Sequence, residues 1–168
     1  MRLRYGAAMP APSDRPGPLA IRLHPDPVLR AVCAPVRGDA TGLARAMLDA
    51  MYAAPGRGLA APQVGEALRL FVMDATWKDG LPDPRVFVNP EVVWTAGETA
   101  VMEEGCLSIP DTPRRVRRPV ACRLAFDGPD GRREERLDGA AARCALHEMD
   151  HLDGVLILDH PEIGPGAA

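Results

Sequence analysis

The chain contains no run of about 18 apolar residues, the length a helix needs to cross a bilayer, so it is expected to span no membrane. It has no strong excess of either charge. The 20 Lys+Arg against 23 Asp+Glu leave a formal charge of -3, which argues against nucleic-acid or membrane binding driven by net charge. DNA is therefore not an expected partner. The four cysteines, Cys33, Cys106, Cys122 and Cys144, show no paired spacing. The first 20 residues hold no continuous apolar stretch of the kind a secretory signal requires. Both absences predict a cytoplasmic protein with reduced thiols rather than a disulfide framework. A thiol outside any disulfide is available to a metal. No internal repeat is present.

At 168 residues the chain can bury one core and is too short for two ordinary domains. A Pro- and Arg-rich stretch over 1–19 is expected to be a flexible extension, 20–160 a single folded domain and 161–168 a flexible tail. Residues 19–23 read as a short strand before Pro25 and Pro27. Asp39 or Thr41 is placed to cap a helix in which Leu43, Met47, Ala50 and Met51 share one face, stopped at Pro55-Gly56. The stretch from Gly56 to Gly65 is too rich in Gly and Pro for regular structure and too apolar for a wet loop. It is expected to be a buried loop.

Strands are predicted at 68–74, 86–88 and 92–94. A half-buried strand alternates Val120, Cys122, Leu124 and Phe126 and turns back as a hairpin at Asp127-Gly128-Pro129-Asp130-Gly131. Asp138 is placed to cap a last helix, which Gly154 ends. These elements predict an α+β fold with antiparallel β-sheets packed around a central helix.

That helix carries His147-Glu148-Met149-Asp150-His151. Residues four apart share a helical face, so His147 and His151 present two imidazoles to one point, and Glu148 supplies a proton-transfer group beside them. The donor best suited to complete the set is Cys106, in Glu103-Glu104-Gly105-Cys106-Leu107-Ser108. Two carboxylates beside it disfavour a thiolate unless a cation compensates. A Cys-His-His set leaves one position open for water, as a catalytic metal needs. Asp150 and Asp153 are candidate acceptors for the imidazole N–H groups. Cys33 and Cys122 read as packing residues.

Three motifs, Gly56-Arg57-Gly58-Leu59-Ala60-Ala61-Pro62-Gln63, Glu104-Gly105-Cys106-Leu107-Ser108 and His147-Glu148-Met149-Asp150-His151, resemble those of peptide deformylases in content and order. Pro25-Asp26, Asn89-Pro90 and Gly97-Glu98-Thr99 are similar as well. The resemblance implies a catalytic domain that removes the formyl group from the formyl-methionine of newly made, N-formylated polypeptides. It implies one divalent metal on Cys106, His147 and His151, with Fe(II) first and Zn, Ni or Co replacing it in purified material. Glu148 would move the proton, and the Gln63 side chain and Leu107 N–H would stabilise the oxyanion. Gly56, Arg57, Gly58, Arg143 and Cys144 would border the substrate.

Two positions depart from the family pattern: Arg57 and Arg143 stand where an apolar residue usually faces the methionine side chain. Either their guanidinium groups turn outward and only methylenes line the pocket, or the pocket takes another small formyl or acyl amide, such as one with an acidic group. Leu146 also replaces a Gln common before the first histidine. A retired, binding-only member is a third reading, which an intact Glu148 speaks against. A generic protease of the His-Glu-x-x-His type would need its third ligand downstream, where only His160 stands. Many family members end in a C-terminal helix associated with ribosome docking, whereas Pro161-Glu162-Ile163-Gly164 does not read as helical. The ribosome is thus a weaker partner expectation, with Arg114-Arg115-Val116-Arg117-Arg118 a substitute basic patch, a site for the peptide's carboxylate or a solvated loop.

Overall fold

A computed structural model describes residues 19–164. Nearly all of the expected extension over 1–19, and the last residues of the tail, lie outside the described residues. Helix α1 spans Thr41–Ala53 and helix α2 spans Gly139–Leu152. The strands are β1 Gly58–Ala60, β2 Leu70–Met73, β3 Arg85–Thr95, β4 Thr99–Cys106, β5 Ile109–Pro119, β6 Ala121–Gly128 and β7 Gly131–Asp138. A five-stranded antiparallel sheet runs in the order β1-β2-β3-β6-β7, and β4 pairs with β5 as a two-stranded ribbon.

Side chains alternate across a strand, and β2 uses both faces. Leu70 and Val72 pack with Met47, Leu48 and Met51 of α1, whereas Phe71 and Met73 pack with Leu146, Met149 and Leu152 of α2. Phe71 stacks on Phe87 at 4.6 Å between ring centroids, and Phe87 meets Phe126 edge-on at 4.7 Å. The sheet therefore lies between the two helices. A third cluster, Leu29, Cys106, Ile109, Val116, Leu156 and Ile157, closes the ribbon against the segment after α2. Helix α2 is thus held between sheet and ribbon, the central position predicted for it.

Several local expectations change. Residues 19–23 form no strand. The Arg22 N–H donates to the Gln63 carbonyl at 2.7 Å and the His24 N–H to the Ser108 carbonyl at 2.8 Å, so this segment ties two loops together instead of joining a ladder. Within the expected loop at Gly56–Gly65, Gly58 to Ala60 pair with β2 and Ala61–Val64 form a 3-10 turn. The strands expected at 86–88 and 92–94 are one strand with register shifts between Val88 and Glu91 and between Val92 and Trp94. Pro90 has no N–H to give a ladder, and the irregularity accommodates it. Asn89 takes a positive φ of 48° there, and its side chain bonds both Val36 backbone groups and Asp127.

Asp138 does stand at the N-cap of α2, but neither helix has a side-chain cap bond at its N-cap residue. Ala40 is the N-cap of α1, with Asp39 accepting from the Thr41 N–H at 2.8 Å, and Asp138 makes no cap bond but pairs with Arg136. Gly154 does end α2, with φ of 72°. The ribbon β4–β5 was not expected. Residues 114–118 are part of β5 rather than a loop, and Arg118 is buried.

Candidate metal centre and active site

The elements converge on one cleft. Cys106 closes β4, Leu107 and Ser108 make the bend into β5, and α2 delivers His147, Glu148 and His151. One ligand atom from each of Cys106, His147 and His151 lies within 4.8 Å of the others. Cys106 Sγ is 3.3 Å from His151 Nε2, and the two imidazole centroids are 5.0 Å apart. Cys106 and His151 are buried. The donor set, one thiol and two imidazoles, suits iron, zinc, cobalt or nickel.

The electrostatics fit a cation at this point. Burial works against a charged His147, but its hydrogen bonds to Cys106 and Glu104 outweigh burial and draw its pKa up to about 10. Burial, followed by the neighbouring His147, drives His151 well below its ordinary value. Of the two rings only His147 is drawn toward the charged form with both nitrogens protonated, and a bound cation would take that extra proton's place among the thiol and the rings. Among the described residues, His151 Nδ1 and Glu148 Oε2 are buried without a hydrogen-bond partner, which is costly unless the site serves another group.

Glu104 is the acceptor that the sequence reading did not find. His147 Nδ1 donates to Glu104 Oε2 at 3.0 Å, which leaves Nε2 for a metal. Asp150 and Asp153 do not take this role. Asp150 accepts from Arg118 and lies 2.7 Å from His160 Nε2, and Asp153 accepts from Arg69. His160 is therefore spent on Asp150 rather than added to the ligand group, and the protease pattern with a downstream third ligand is not formed. Burial would raise the Glu104 carboxyl, yet His147 and Arg118 together hold it down at about 2.

Gln63 is buried and oriented at both ends of its amide. Its Oε1 accepts from the Ala60 N–H at 2.9 Å, while Nε2 donates to Ser108 Oγ at 3.1 Å and faces Cys106 Sγ at 3.6 Å. Glu148, 3 % exposed, has its pKa pushed up to about 7, chiefly by burial. Burial also holds the Cys144 thiol protonated, and it donates to the Arg57 carbonyl at 3.3 Å. A cavity of about 760 Å³ opens on this group and is bordered by Gly56, Gly58, Gln63, Leu107, Cys144 and Glu148.

Arg57 and Arg143 also border the cavity, but neither offers a free cation. Arg57 bonds the Ala75 carbonyl and lies 3.2 Å from Asp79. Arg143 is turned inward rather than to solvent. It bonds Glu104 at 2.9 Å and the carbonyls of Ala100 and Val116 at 3.1 and 3.3 Å. Both charges are already matched, and the exposed Lys78 shares the lining with acidic groups at Asp79, Glu103 and Glu148, so the arginines give no ground for an acidic substrate.

The outer wall hangs on Asp74, which is fully buried. It accepts from the Tyr52 hydroxyl at 2.7 Å and the Asp83 N–H at 3.0 Å, and Trp77 Nε1 fixes the Gly56 carbonyl at 2.8 Å. Tyr52→Phe should lower stability by about 1–3 kcal/mol, the cost of leaving a buried charged acceptor short of a donor. Urea unfolding measures it, and an unchanged midpoint would remove Tyr52 from the account of this wall.

A family model, polypeptide deformylase, matches residues 18–163. Peptide deformylases of Mesorhizobium japonicum and Rhodopseudomonas palustris are 50% and 48% identical over 140 and 146 residues. The alignments cover 81% of this chain and 80% of the first relative, and 83% of each chain for the second. The crystal structure of the Thermotoga maritima peptide deformylase superposes with a TM-score of 0.79 at 41% identity, covering 88% of this chain and 98% of that one. A Synechococcus elongatus peptide deformylase gives 0.82 at 38% identity, covering 93% and 88%. The family model takes in all three motifs of the cleft, and the fold agrees with solved members along nearly the whole described chain: the chain belongs to the polypeptide deformylase family.

Proposed function

We propose that this protein is a metal-dependent hydrolase that removes the formyl group from the N-terminal formyl-methionine of newly made polypeptides, with Cys106, His147 and His151 as ligands and Fe(II) as the working metal. One observation carries the reading: a buried glutamate with an unpartnered oxygen, Glu148 Oε2, directly follows one histidine of a thiol and two-imidazole cluster at the wall of a peptide-sized cavity. When bound, the metal would supply Lewis acidity and lower the pKa of a water molecule. The remaining work falls to the chain. Glu148 accepts a proton and returns it to the leaving amine. Gln63 Nε2, on an amide held at its oxygen by the Ala60 N–H and at its nitrogen by Ser108 Oγ, and the Leu107 N–H donate to the formyl oxygen as charge develops on it. Gly56 and Gly58 leave room for an extended peptide beside β1.

Reduced cysteines are needed for a thiolate ligand, which suits the cytoplasm, where formylated chains arise at the ribosome. Any contact with the ribosome through β5 would fall to Arg114, Arg115 and Arg117, because Arg118 is buried.

The test is anaerobic hydrolysis of formyl-Met-Ala-Ser by the Fe(II)- or Ni(II)-loaded protein. Turnover should vanish on chelation and return with metal. Because Arg57 and Arg143 are neutralised within the protein, formyl-Met should exceed formyl-Glu in kcat/KM by about tenfold or more, as a carboxylate would find neither guanidinium free to pair with it. Preference for formyl-Glu would overturn the methionine assignment, and absence of turnover by the loaded protein would overturn the activity.

A further inference from the structure

The geometry points to Arg143 as a positioning residue that locks the element carrying the two histidines onto the element carrying Cys106, acting through Glu104. This inference rests on the reading of Cys106, His147 and His151 as metal ligands and goes beyond it. A three-donor site split between β4 and α2 binds tightly only if the two elements are held in register, since a metal gains nothing from ligands it must first assemble.

The register is set at Glu104, two residues before Cys106. A carboxylate offers about four acceptor directions, and four donors use them. Oε1 accepts from Arg118 Nε at 2.6 Å and Arg143 Nη1 at 2.9 Å, and Oε2 accepts from Arg118 Nη2 at 2.9 Å and His147 Nδ1 at 3.0 Å. The two arginines come from opposite sides. Arg118 belongs to β5 and reaches across to Asp150 of α2 at 2.9 Å. Arg143 belongs to α2, one turn before His147, and reaches across to Glu104 and to the carbonyls of Ala100 on β4 and Val116 on β5. Arg143 is thus bonded to both strands of the ribbon at once, through a planar fork that a lysine or an apolar residue cannot reproduce.

Removing it leaves Glu104 with an unfilled direction and the His147–Glu104 bond to hold α2 to β4 without the arginine fork, while Cys106, His147, His151, Glu148 and Gln63 all remain. A residue that merely lined the cavity would alter substrate binding; one that sets ligand register alters the metal. Groups that orient metal ligands typically change affinity by 10–100-fold.

The experiment compares Co(II)-substituted wild type with Arg143→Leu by visible absorption and by chelator competition, alongside kinetics on formyl-Met-Ala-Ser. The expected result is Co(II) binding weakened about 10–100-fold with a shifted d–d envelope, and kcat lowered while KM stays within about twofold. Wild-type affinity and spectrum in Arg143→Leu, or a change confined to KM, would overturn the inference. If Arg143→Leu does not fold, Arg143→Gln is read in the same way. Its shorter amide cannot span all three acceptors, so weakened Co(II) binding supports the inference and wild-type binding overturns it. A wild-type protein that bound Co(II) without a thiolate charge-transfer band would fail the ligand reading itself, and this inference with it.

Discussion

Glu148→Gln should lower kcat by about 10²–10⁴-fold, the range for removing a positioned general base, and should stabilise the metal-free protein at alkaline pH. Both effects follow from where the carboxyl sits. It is buried, one oxygen has no partner, and burial pushes its pKa from 4.5 up to about 7. The folded state therefore holds a proton on Glu148 that the unfolded chain releases near pH 4.5. Between those two values the folded protein binds more protons than the unfolded one, so the contribution of this group to stability falls as pH rises through the window. Above about pH 7 the full penalty of a buried carboxylate is present, on the order of 1–3 kcal/mol.

A neutral amide of the same shape escapes that penalty. Gln should thus match Glu in stability at pH 4 and exceed it at pH 8. Adding the divalent metal should shrink the difference, because a cation favours the carboxylate. Urea unfolding of the two proteins at both pH values, with and without metal, measures this. Equal stability at pH 8 would contradict the burial account. Retained turnover would remove Glu148 from the chemistry.

How much of this was legible in the sequence divides by the range of the interaction involved. Helix α2, the β6–β7 hairpin and the meeting of Cys106 with the two histidines were readable because helical spacing, turn residues and metal-donor chemistry are local or depend on residue type alone. The ribbon β4–β5 was not, because it does not alternate apolar and polar residues. Beyond its ladder it is tied by Arg118 of β5 bonded to Glu104 of β4, and by Ile109 and Val116 packed with Leu156 and Ile157. A run of acids followed by a run of arginines was the available signal, and it read as a wet loop.

The partner of His147 was missed for a related reason. Asp150 and Asp153 are its neighbours in the chain, but on the helix Asp150 is directed to Arg118 and His160, and the acceptor arrives from β4 instead. The two arginines that looked out of place in a methionine pocket are explained only by contacts 18 and 39 residues away in the chain, Arg57 with Ala75 and Arg143 with Glu104.

Gly58→Ala should lower kcat/KM by about 100-fold or more while leaving metal binding intact. The constraint at this position is space rather than backbone angle, since φ at Gly58 is not among the positive values that require glycine. A Cβ there would sit 2.3 Å from Glu148 Oε1 and 2.9 Å from Cys144 Sγ, distances no real contact sustains, so one side must yield. The strand cannot move freely, because Gly58 pairs with Met73 and Leu59 with Val72, and Leu59 is fully buried against α1. Cys144 has little room either, with its thiol bonded to the Arg57 carbonyl. The yielding group is the Glu148 carboxylate, which has no hydrogen bond on Oε2 to hold it and would swing from the position in which it can serve as a base.

A displacement of about 1 Å in a catalytic group can cost 100-fold. The atoms nearest that methyl group belong to Glu148 and Cys144 rather than to Cys106, His147 or His151, so the three ligands should keep their mutual geometry. Overpacking should also lower stability by about 1–3 kcal/mol. Metal titration, kinetics on formyl-Met-Ala-Ser and urea unfolding of the same preparation separate these effects. Near-normal kcat/KM in Gly58→Ala would mean that Glu148 tolerates displacement and does not act from the position it holds here.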